Sequence, residues 1–185
     1  MTVLVTERLV LKPLHRGDLA ALRTIFADKA HMWDLMDIPG RSNDPTELAS
    51  YYLARSLWSF ETYGVGMWGL HLRESQNTPI VGYTGAIIDV GEETDISKDV
   101  EAGWAVAPGS AGKGYVAEGT MAAFDHLFDR HRTARISAVT SPDNWASRRL
   151  MERLGLVREA DITAYQGLQV VYAIDRDAWL SRGSK

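Results

Sequence analysis

Apolar residues alternate with polar ones in seven short segments of this chain, which is the pattern of half-buried β-strands. In the first segment, TERLVLK at 6–12, Leu9 and Leu11 point to the same face. The second and third segments are joined by SQNTP at 75–79, which predicts an antiparallel hairpin. The predicted strands cover residues 6–12, 67–73, 79–88, 100–106, 135–139, 156–160 and 169–174.

Apolar residues at helical spacing predict helices between these strands. Asp18 is expected to cap the first helix, and the run Asp44-Pro45-Thr46-Glu47 has the composition of a helix start. Asn144 is expected to cap a later helix whose C-terminal end is marked by Gly155. The predicted helices cover 18–26, 44–60, a segment that includes 117–128, and 144–154, with a short last helix at 175–180.

The order of these elements is strand, two helices, three strands, helix, strand, helix and two strands. Consecutive antiparallel strands combined with a strand–helix–strand crossover predict the α+β (mixed α/β) class. We therefore expect a mixed sheet of six to seven strands with about four helices. The length of 185 residues fits a single domain that spans residues 1–185.

Composition narrows the classes of function. The net charge of −4 argues against sequence-independent binding of nucleic acid, which needs a basic surface. The absence of cysteine excludes disulfides, thiolate metal sites and a cysteine nucleophile, and the five histidines have no metal-ligand spacing. The chain start does not resemble a signal peptide, and no apolar run approaches the ~18 residues of a membrane span. We expect a cytoplasmic protein with no metal site and no membrane or nucleic-acid partner.

The stretch PGSAGKGYVAEG at 108–119 carries the strongest chemical signal. A glycine-rich loop that runs into a helix offers unpaired backbone N–H groups and the positive end of the helix dipole to a phosphate. A nucleotide P-loop is excluded because Lys113 is followed by Gly114 instead of serine or threonine. Gly112, Gly114 and Ala117 satisfy the dinucleotide pattern G-x-G-x-x-G/A, although that loop normally follows the first strand of a parallel sheet. A loop for the diphosphate of coenzyme A is the third alternative.

The third alternative has support along the chain. The segment 100–159 resembles the GNAT superfamily of acyl-CoA N-acyltransferases, and within it the RimJ/RimL-type branch of ribosomal-protein N-terminal acetyltransferases. The resemblance is carried by Glu101 before Gly103-Trp104, by the loop 112–115, by Glu118, and by Asn144 and Ser147 ahead of Leu150-x-x-x-Leu154-Gly155-Leu156. The opening Thr6-Glu7-Arg8-Leu9 and Asp18 fit the same branch.

This resemblance implies direct transfer of an acetyl group from acetyl-CoA to a primary amine, either a protein N-terminus or a small cationic amine. It implies that Ser147 returns a proton to the coenzyme's sulfur, and it makes Glu101 the candidate for a general base or for a carboxylate that orients the amine. Trp33, in an irregular segment, and Glu101 are the candidate acceptor-binding residues. The implied cofactor-binding residues are Trp104, Ala105, Val106, Gly112, Lys113, Gly114, Tyr115, Val116, Ala117, Asn144 and Ser147.

Two further expectations concern the acceptor and the oligomer. The segment 89–101 carries six acidic residues and one lysine, which favours a cationic acceptor. Dimerisation, which is common in the branch, makes a homodimer an expectation. The alternatives that stay open are a GNAT-fold protein that binds CoA as a sensor or scaffold with weak catalysis, and a dinucleotide-binding oxidoreductase.

Overall fold

The computed structural model describes residues 2–28, 42–75, 77–88, 100–165 and 167–182. Within these ranges the chain forms eight strands and five α-helices. The strands are β1 (Leu4–Val5), β2 (Leu9–Pro13), β3 (Met67–Leu72), β4 (Gly82–Ile88), β5 (Val100–Val106), β6 (Arg135–Thr140), β7 (Val157–Ala164) and β8 (Gly167–Asp175). The helices are α1 (Leu19–Phe26), α2 (Pro45–Tyr63), α3 (Tyr115–Asp129), α4 (Trp145–Leu154) and α5 (Arg176–Ser181).

All eight strands belong to one mixed sheet, in the order β1-β2-β3-β4-β5-β6-β8-β7. Neighbouring strands are antiparallel except β5 and β6, which run parallel. The connection between these two strands contains α3, as a parallel pair requires. The predicted fold class is therefore confirmed, with one strand more than the sequence predicts because the two residues of β1 are too few for an alternating pattern.

Helices cover both faces of the sheet, and each face has its own hydrophobic cluster. On one face, α3, α4 and α5 pack over sheet residues such as Trp68 and Leu70, with Phe124 of α3 in the same cluster. On the other face, α1 and α2 pack over a cluster that includes Phe26 and Leu53. Side chains that alternate along a central strand therefore face different helices, which matters for β5 below.

Local signals set most helix boundaries. The Asp44 carboxylate accepts hydrogen bonds from the backbone N–H groups of Thr46 (2.8 Å) and Glu47 (3.0 Å), which confirms the predicted start of α2. This helix runs to Tyr63, three residues beyond the predicted end at 60, and Gly64 closes it with a φ of 73°. Only glycine adopts that left-handed conformation without strain, so the helix ends at this residue.

The predicted cap of α1 is wrong in its mechanism. The Asp18 carboxylate makes no capping bond to α1 and instead accepts from the backbone N–H of His15 at 2.9 Å. His15 Nδ1 in turn accepts from the N–H of Gly17 at 2.9 Å, so the two side chains stabilise a 3-10 turn, Arg16–Asp18, that leads into α1. Histidine can accept a bond through its neutral ring nitrogen, a capping role that the sequence pattern does not reveal.

Candidate functional site

The parallel strands β5 and β6 are paired at only one end. Val100 pairs with Ile136 and Glu101 with Ser137, and the described pairing of the two strands stops there. On its other edge, β5 stays paired with β4 along its whole length, to Val106. Residues 102–106 of β5 therefore present backbone groups to a gap between β5 and β6, which we call the fork.

The two faces of the fork carry different residues. Ala102 and Trp104 pack on the cluster beneath α3 and α4, whereas Ala105 packs on the cluster beneath α1 and α2. By strand alternation, Glu101 shares the face of Ala105. Glu101 and Trp104 therefore lie on opposite faces of β5.

The glycine-rich loop follows β5 directly and lies on the protein surface. Gly109, Gly112 and Gly114 have φ values of 78°, 76° and 78°, in the left-handed region that side chains other than glycine adopt with strain. A Cβ placed on Gly109 or Gly112 would meet no atom within 4 Å. Glycine is therefore required there by the backbone conformation, and open space lies in front of the loop.

The loop ends where α3 begins, with Gly114 in the N-cap position. The N–H of Glu118 bonds to the Gly114 carbonyl at 3.0 Å, so the N–H groups of the preceding turn have no partner within the helix. The side chains of Tyr115 and Val116 pack against the core, which leaves the backbone on the outer side of this turn. Lys113 is exposed. Among the predicted cofactor residues, those from Gly114 to Ala117 thus have backbone N–H groups without a partner inside the helix.

A network between distant parts of the chain holds this turn, and sequence reasoning missed it. The Glu118 carboxylate accepts from Thr6 Oγ1 (2.5 Å), from the Arg8 backbone N–H (2.9 Å) and from Arg8 Nε (2.6 Å). Arg8 Nη1 also donates to the Lys113 carbonyl at 2.9 Å. Although burial alone would raise the pKa of Glu118, the bonds from Thr6 and Arg8 hold it below its ordinary value. The carboxylate is therefore ionised near neutral pH and paired with Arg8.

The start of α4 brings two predicted residues to the fork. Asn144 is the N-cap of this helix, and its Oδ1 accepts from the N–H of Ser147 at 3.2 Å, as its sequence position predicts. The indole N–H of Trp104 points to Ser147 Oγ across 3.4 Å, at the long end of hydrogen-bond distances. Ser147 and β5 are thus in contact although they are 43 positions apart.

Glu101 has a partner that the sequence did not suggest. The Tyr165 hydroxyl donates to Glu101 Oε1 at 3.1 Å. Tyr165 lies in the turn between β7 and β8 with a φ of 56°, a left-handed conformation that is unusual for a tyrosine. The turn therefore places a phenol beside the carboxylate, on the face of the fork opposite Trp104.

Other candidates from the sequence lie elsewhere. Trp33 and the acidic residues 89–99 fall outside the described residues. Arg148, next to Ser147 on α4, donates from Nη1 to the Pro142 carbonyl at 2.7 Å and from Nε to the Tyr172 hydroxyl at 3.3 Å. These bonds tie Arg148 to the segment before α4 and to β8, whereas its neighbour Arg149 is exposed.

The fork and the loop fit an extended ligand that ends in phosphates. Backbone donors at the start of α3 suit a diphosphate, and the unpaired edge of β5 suits a chain that carries amides. Ser137, in the last position of β6 that pairs with β5, and Ser141, just after β6, have buried hydroxyls with no hydrogen-bond partner among the described residues. The dinucleotide alternative is wrong, because the loop follows the fifth strand, which is antiparallel to β4.

Comparisons with known proteins agree with this arrangement. Residues 8–157 match the model of a family described as "Acetyltransferase (GNAT) domain". An acetyltransferase from Agrobacterium tumefaciens str. C58 is similar in structure, with a TM-score of 0.76, 24% identity and coverage of 94% of each chain. A ribosomal-protein-S5-alanine acetyltransferase from Vibrio fischeri gives a TM-score of 0.72 at 16% identity, covering 97% of this chain and 99% of that one.

The name of a third similar structure states a different kind of amine substrate. It is a mutant of the spermidine N-acetyltransferase SpeG from Vibrio cholerae, with a TM-score of 0.69, 18% identity and coverage of 96% of this chain and 99% of that one. At these identities the neighbours establish the fold, while the family match spans most of the chain. The chain belongs to the GNAT family and is an acyl-CoA-dependent acetyltransferase with acetyl-CoA as its donor.

Proposed function

We propose that the enzyme transfers an acetyl group from acetyl-CoA directly to a primary amine, within a complex that holds both reactants. The observation that supports this most strongly is the fork: Ser147 contacts one face of it, Glu101 lies on the other, and the glycine-rich loop adjoins it. A gap between two strands of a sheet lets a donor and an acceptor meet without a covalent acyl-enzyme. Placing two reactants in this way can lower a barrier by ~7–11 kcal/mol.

The donor half of the site lies at the loop and β5. The N–H groups from Gly112 to Ala117 are proposed to bind the diphosphate, and the edge of β5 from Trp104 to Val106 the pantetheine arm. When bound, acetyl-CoA supplies the acetyl group as an activated thioester. A backbone N–H of β5 is proposed to stabilise the negative charge that develops on the transferred carbonyl oxygen.

Ser147 is proposed to donate a proton to the departing sulfur. The Oγ of Ser147 lies 3.4 Å from Nε1 of Trp104, and the hydrogen on this nitrogen points toward the lone pairs of the oxygen. The hydroxyl hydrogen is then turned away from Trp104 and can be given to another acceptor. Asn144 contributes by binding the backbone N–H of Ser147, which fixes the position of this residue at the helix start.

Glu101 is proposed to receive or orient the amine. An amine must be neutral to attack, and an N-terminal amine with a pKa of ~7.7 is partly neutral at pH 7, whereas a lysine amine at ~10.4 needs more help. A carboxylate at the fork can hold an ammonium group and accept its proton. The Tyr165 hydroxyl bonds to one oxygen of Glu101 and so fixes the direction in which the other oxygen points.

The acceptor is proposed to be a protein N-terminus or a small cationic amine. The carboxylate of Glu101 favours a cation, and the acidic composition of the segment 89–101 adds to this charge. Two of the similar structures act, by their names, on a ribosomal protein and on spermidine, so that a protein and a small amine both occur as acceptors on this fold. We propose that Trp33, from the segment between α1 and α2, contributes to acceptor binding.

A panel of amines tests this function directly. The enzyme is incubated with acetyl-CoA and peptides with different N-terminal residues, polyamines or small amines, and free CoA thiol is measured with a colorimetric thiol reagent. We expect thiol release above the amine-free rate for at least one class, with N-acetylated product confirmed by mass spectrometry. Tight CoA binding with no amine-dependent release across the panel would instead identify a sensor or scaffold and would contradict the proposal.

A further inference from the structure

We propose that Arg8 is a positioning residue for the donor site. Its side chain holds the end of the glycine-rich loop in the conformation that binds the diphosphate of CoA. This inference rests on the proposed role of the loop. Arg8 lies directly before β2, more than 100 positions from the loop along the chain, and belongs to neither the loop nor the fork.

The contacts of Arg8 connect the two sides of the turn where the loop becomes a helix. Nη1 donates to the carbonyl of Lys113, the residue before the N-cap Gly114, and Nε donates to Glu118 in the first turn of α3. One rigid guanidinium group thus binds both the last part of the loop and the start of the helix. Because the group is planar, the two bonds fix the relative orientation of these segments.

Arg8 also lies against the loop itself. Its Cζ is 4.9 Å from the centre of the Tyr115 ring, and a Cβ placed on Gly114 would lie 3.4 Å from its Nη2. The guanidinium therefore supports Gly114 and Tyr115 from the side of β2. The loop glycines have no side chains of their own with which to hold this conformation.

The pairing with Arg8 also decides the electrostatics of the site. Glu118 is a carboxylate in the first turn of α3, where it could itself bind the helix N–H groups and would repel a diphosphate. This carboxylate accepts three hydrogen bonds, one from the Thr6 hydroxyl and two from Arg8, through its backbone N–H and its Nε. Arg8 thereby neutralises the one acid of the segment 112–118, and the N–H groups stay available for an anion.

Replacing Arg8 tests the inference through binding and through donor choice. Arg8→Met keeps an apolar side chain without the charge. Arg8→Lys keeps the charge, but a lysine ammonium cannot bond to Glu118 and Lys113 with the planar set of donors that the guanidinium offers. Arg158→Met is the matched control, since Arg158 pairs with Asp161 at 2.8 Å on β7, at the opposite edge of the sheet from β1. The dissociation constant of CoA is measured by calorimetry, and kcat/KM is measured with acetyl-CoA and with acetyl-pantetheine, which lacks phosphates.

We expect Arg8→Met to weaken CoA binding about tenfold, because the side-chain bonds to Lys113 and Glu118 that hold the loop in its binding conformation are lost. Its kcat/KM should fall with acetyl-CoA and stay unchanged with acetyl-pantetheine, and Arg8→Lys should show the same direction even if Arg8→Met fails to fold. Arg158→Met should match the wild type. Unchanged CoA affinity in the folded Arg8 variants, or an equal loss with both donors, would overturn the inference. A wild-type enzyme with no preference for acetyl-CoA over acetyl-pantetheine would refute the loop's proposed role, and with it the role of Arg8.

Discussion

At the scale of single residues, Ser147 combines two separable roles. Its backbone N–H bonds to Asn144 and belongs to the helix cap, while its Oγ lies near Trp104 at the fork. Because these roles use different atoms, substitutions can remove the hydroxyl without removing the cap. The chemistry proposed for Ser147 can therefore be tested with little risk to the fold.

Replacing Ser147 by alanine should lower kcat by roughly 10²-fold, the lower end of the range for proton transfer by a positioned side chain. The KM for acetyl-CoA should change little, because the loop still binds the diphosphate. Steady-state kinetics with acetyl-CoA gives both values. Asn144→Ala is the matched comparison: it should lower the free energy of unfolding by about 1 kcal/mol through loss of the cap. A kcat for Ser147→Ala within threefold of the wild type would argue against its proton-donor role.

Replacing Tyr165 by phenylalanine should raise the KM for the amine severalfold and leave the KM for acetyl-CoA unchanged. The hydroxyl that orients Glu101 is lost, while the ring that fills the turn remains. Measurements of initial rate against each substrate in turn separate the two constants. An effect on acetyl-CoA alone would place Tyr165 in the donor half of the site and contradict this prediction.

Contacts between residues close together in the sequence could be predicted, whereas contacts between residues far apart in the sequence could not. The bond from Asn144 to Ser147 spans three positions and follows from capping chemistry. The bonds from Tyr165 to Glu101 and from Arg8 to Glu118 span 64 and 110 positions. Charge and hydrogen-bonding capacity identify such residues as possible partners, but only the register of the sheet decides which ones meet.

At the scale of structural elements, two glycines of the glycine-rich loop allow the effect of backbone strain to be measured separately from the effect on ligand binding. Gly109 and Gly112 have nearly the same φ, 78° and 76°, and a Cβ on either would meet no protein atom within 4 Å. Alanine at either position therefore carries the same strain. Only Gly112 belongs to the surface proposed to bind the diphosphate.

Alanine at Gly112 and at Gly109 should each lower the free energy of unfolding by about 1–2 kcal/mol, since both force a side chain into the left-handed region. Gly112→Ala should in addition weaken CoA binding at least tenfold, because the added methyl group stands where the phosphates approach. Urea unfolding and calorimetric titration measure the two effects. Equal CoA affinities for the two variants would place the diphosphate elsewhere.

Helices and strands with strong local signals were predicted well, but the positions at which neighbouring strands stop pairing were not. The α2 start follows from its cap. The antiparallel pairing of β3 and β4 was also predicted, although the connection 73–81 is longer than the predicted turn 75–79. The fork depends on where β5 and β6 stop pairing, after Glu101 and Ser137. Neither strand's own pattern marks that point, because the residues before and after it alternate in the same way.

At the scale of the whole molecule, a buried histidine makes stability depend on pH. His71 lies on β3, and neither of its ring nitrogens has a hydrogen-bond partner among the described residues. Burial lowers its pKa below the ordinary value of 6.5, as does the charge of Lys12, while Asp18 raises it and His15 lowers it. Burial and the neighbouring His131 and Arg130 likewise lower the pKa of His126, and Asp129 raises it.

Stability should therefore fall as the pH drops below about 6.5, because the unfolded chain then binds protons that the folded protein does not. His71→Leu should make the loss between pH 7.5 and pH 5.5 smaller, while His126 keeps part of it. At pH 7.5 the variant should lie within about 1 kcal/mol of the wild type, since it also removes an unsatisfied polar group. Urea unfolding at both pH values measures this, and an unchanged pH dependence would contradict the prediction, because it would show that the pKa of His71 is the same in the folded and unfolded states.

The class of the fold could be predicted from the order of the elements, while the acceptor could not. A sheet with one parallel crossover followed from periodicity, and the donor site that we propose was inferred from a local loop motif. The acceptor site that we propose depends on residues that only the fold brings together, such as Glu101 and Tyr165, and on the segment that contains Trp33, whose sequence pattern is weak. Within the described ranges, none of the helices has the length and apolar character needed to cross a bilayer.

The most direct measurement is a crystal structure of the enzyme with bound CoA. It should show the diphosphate against the backbone N–H groups of residues 112–117, the pantetheine arm along the unpaired edge of β5, and the sulfur within about 3.5 Å of Ser147 Oγ. CoA bound away from the loop, or with its sulfur far from the fork, would contradict the central claim that these elements form one donor site.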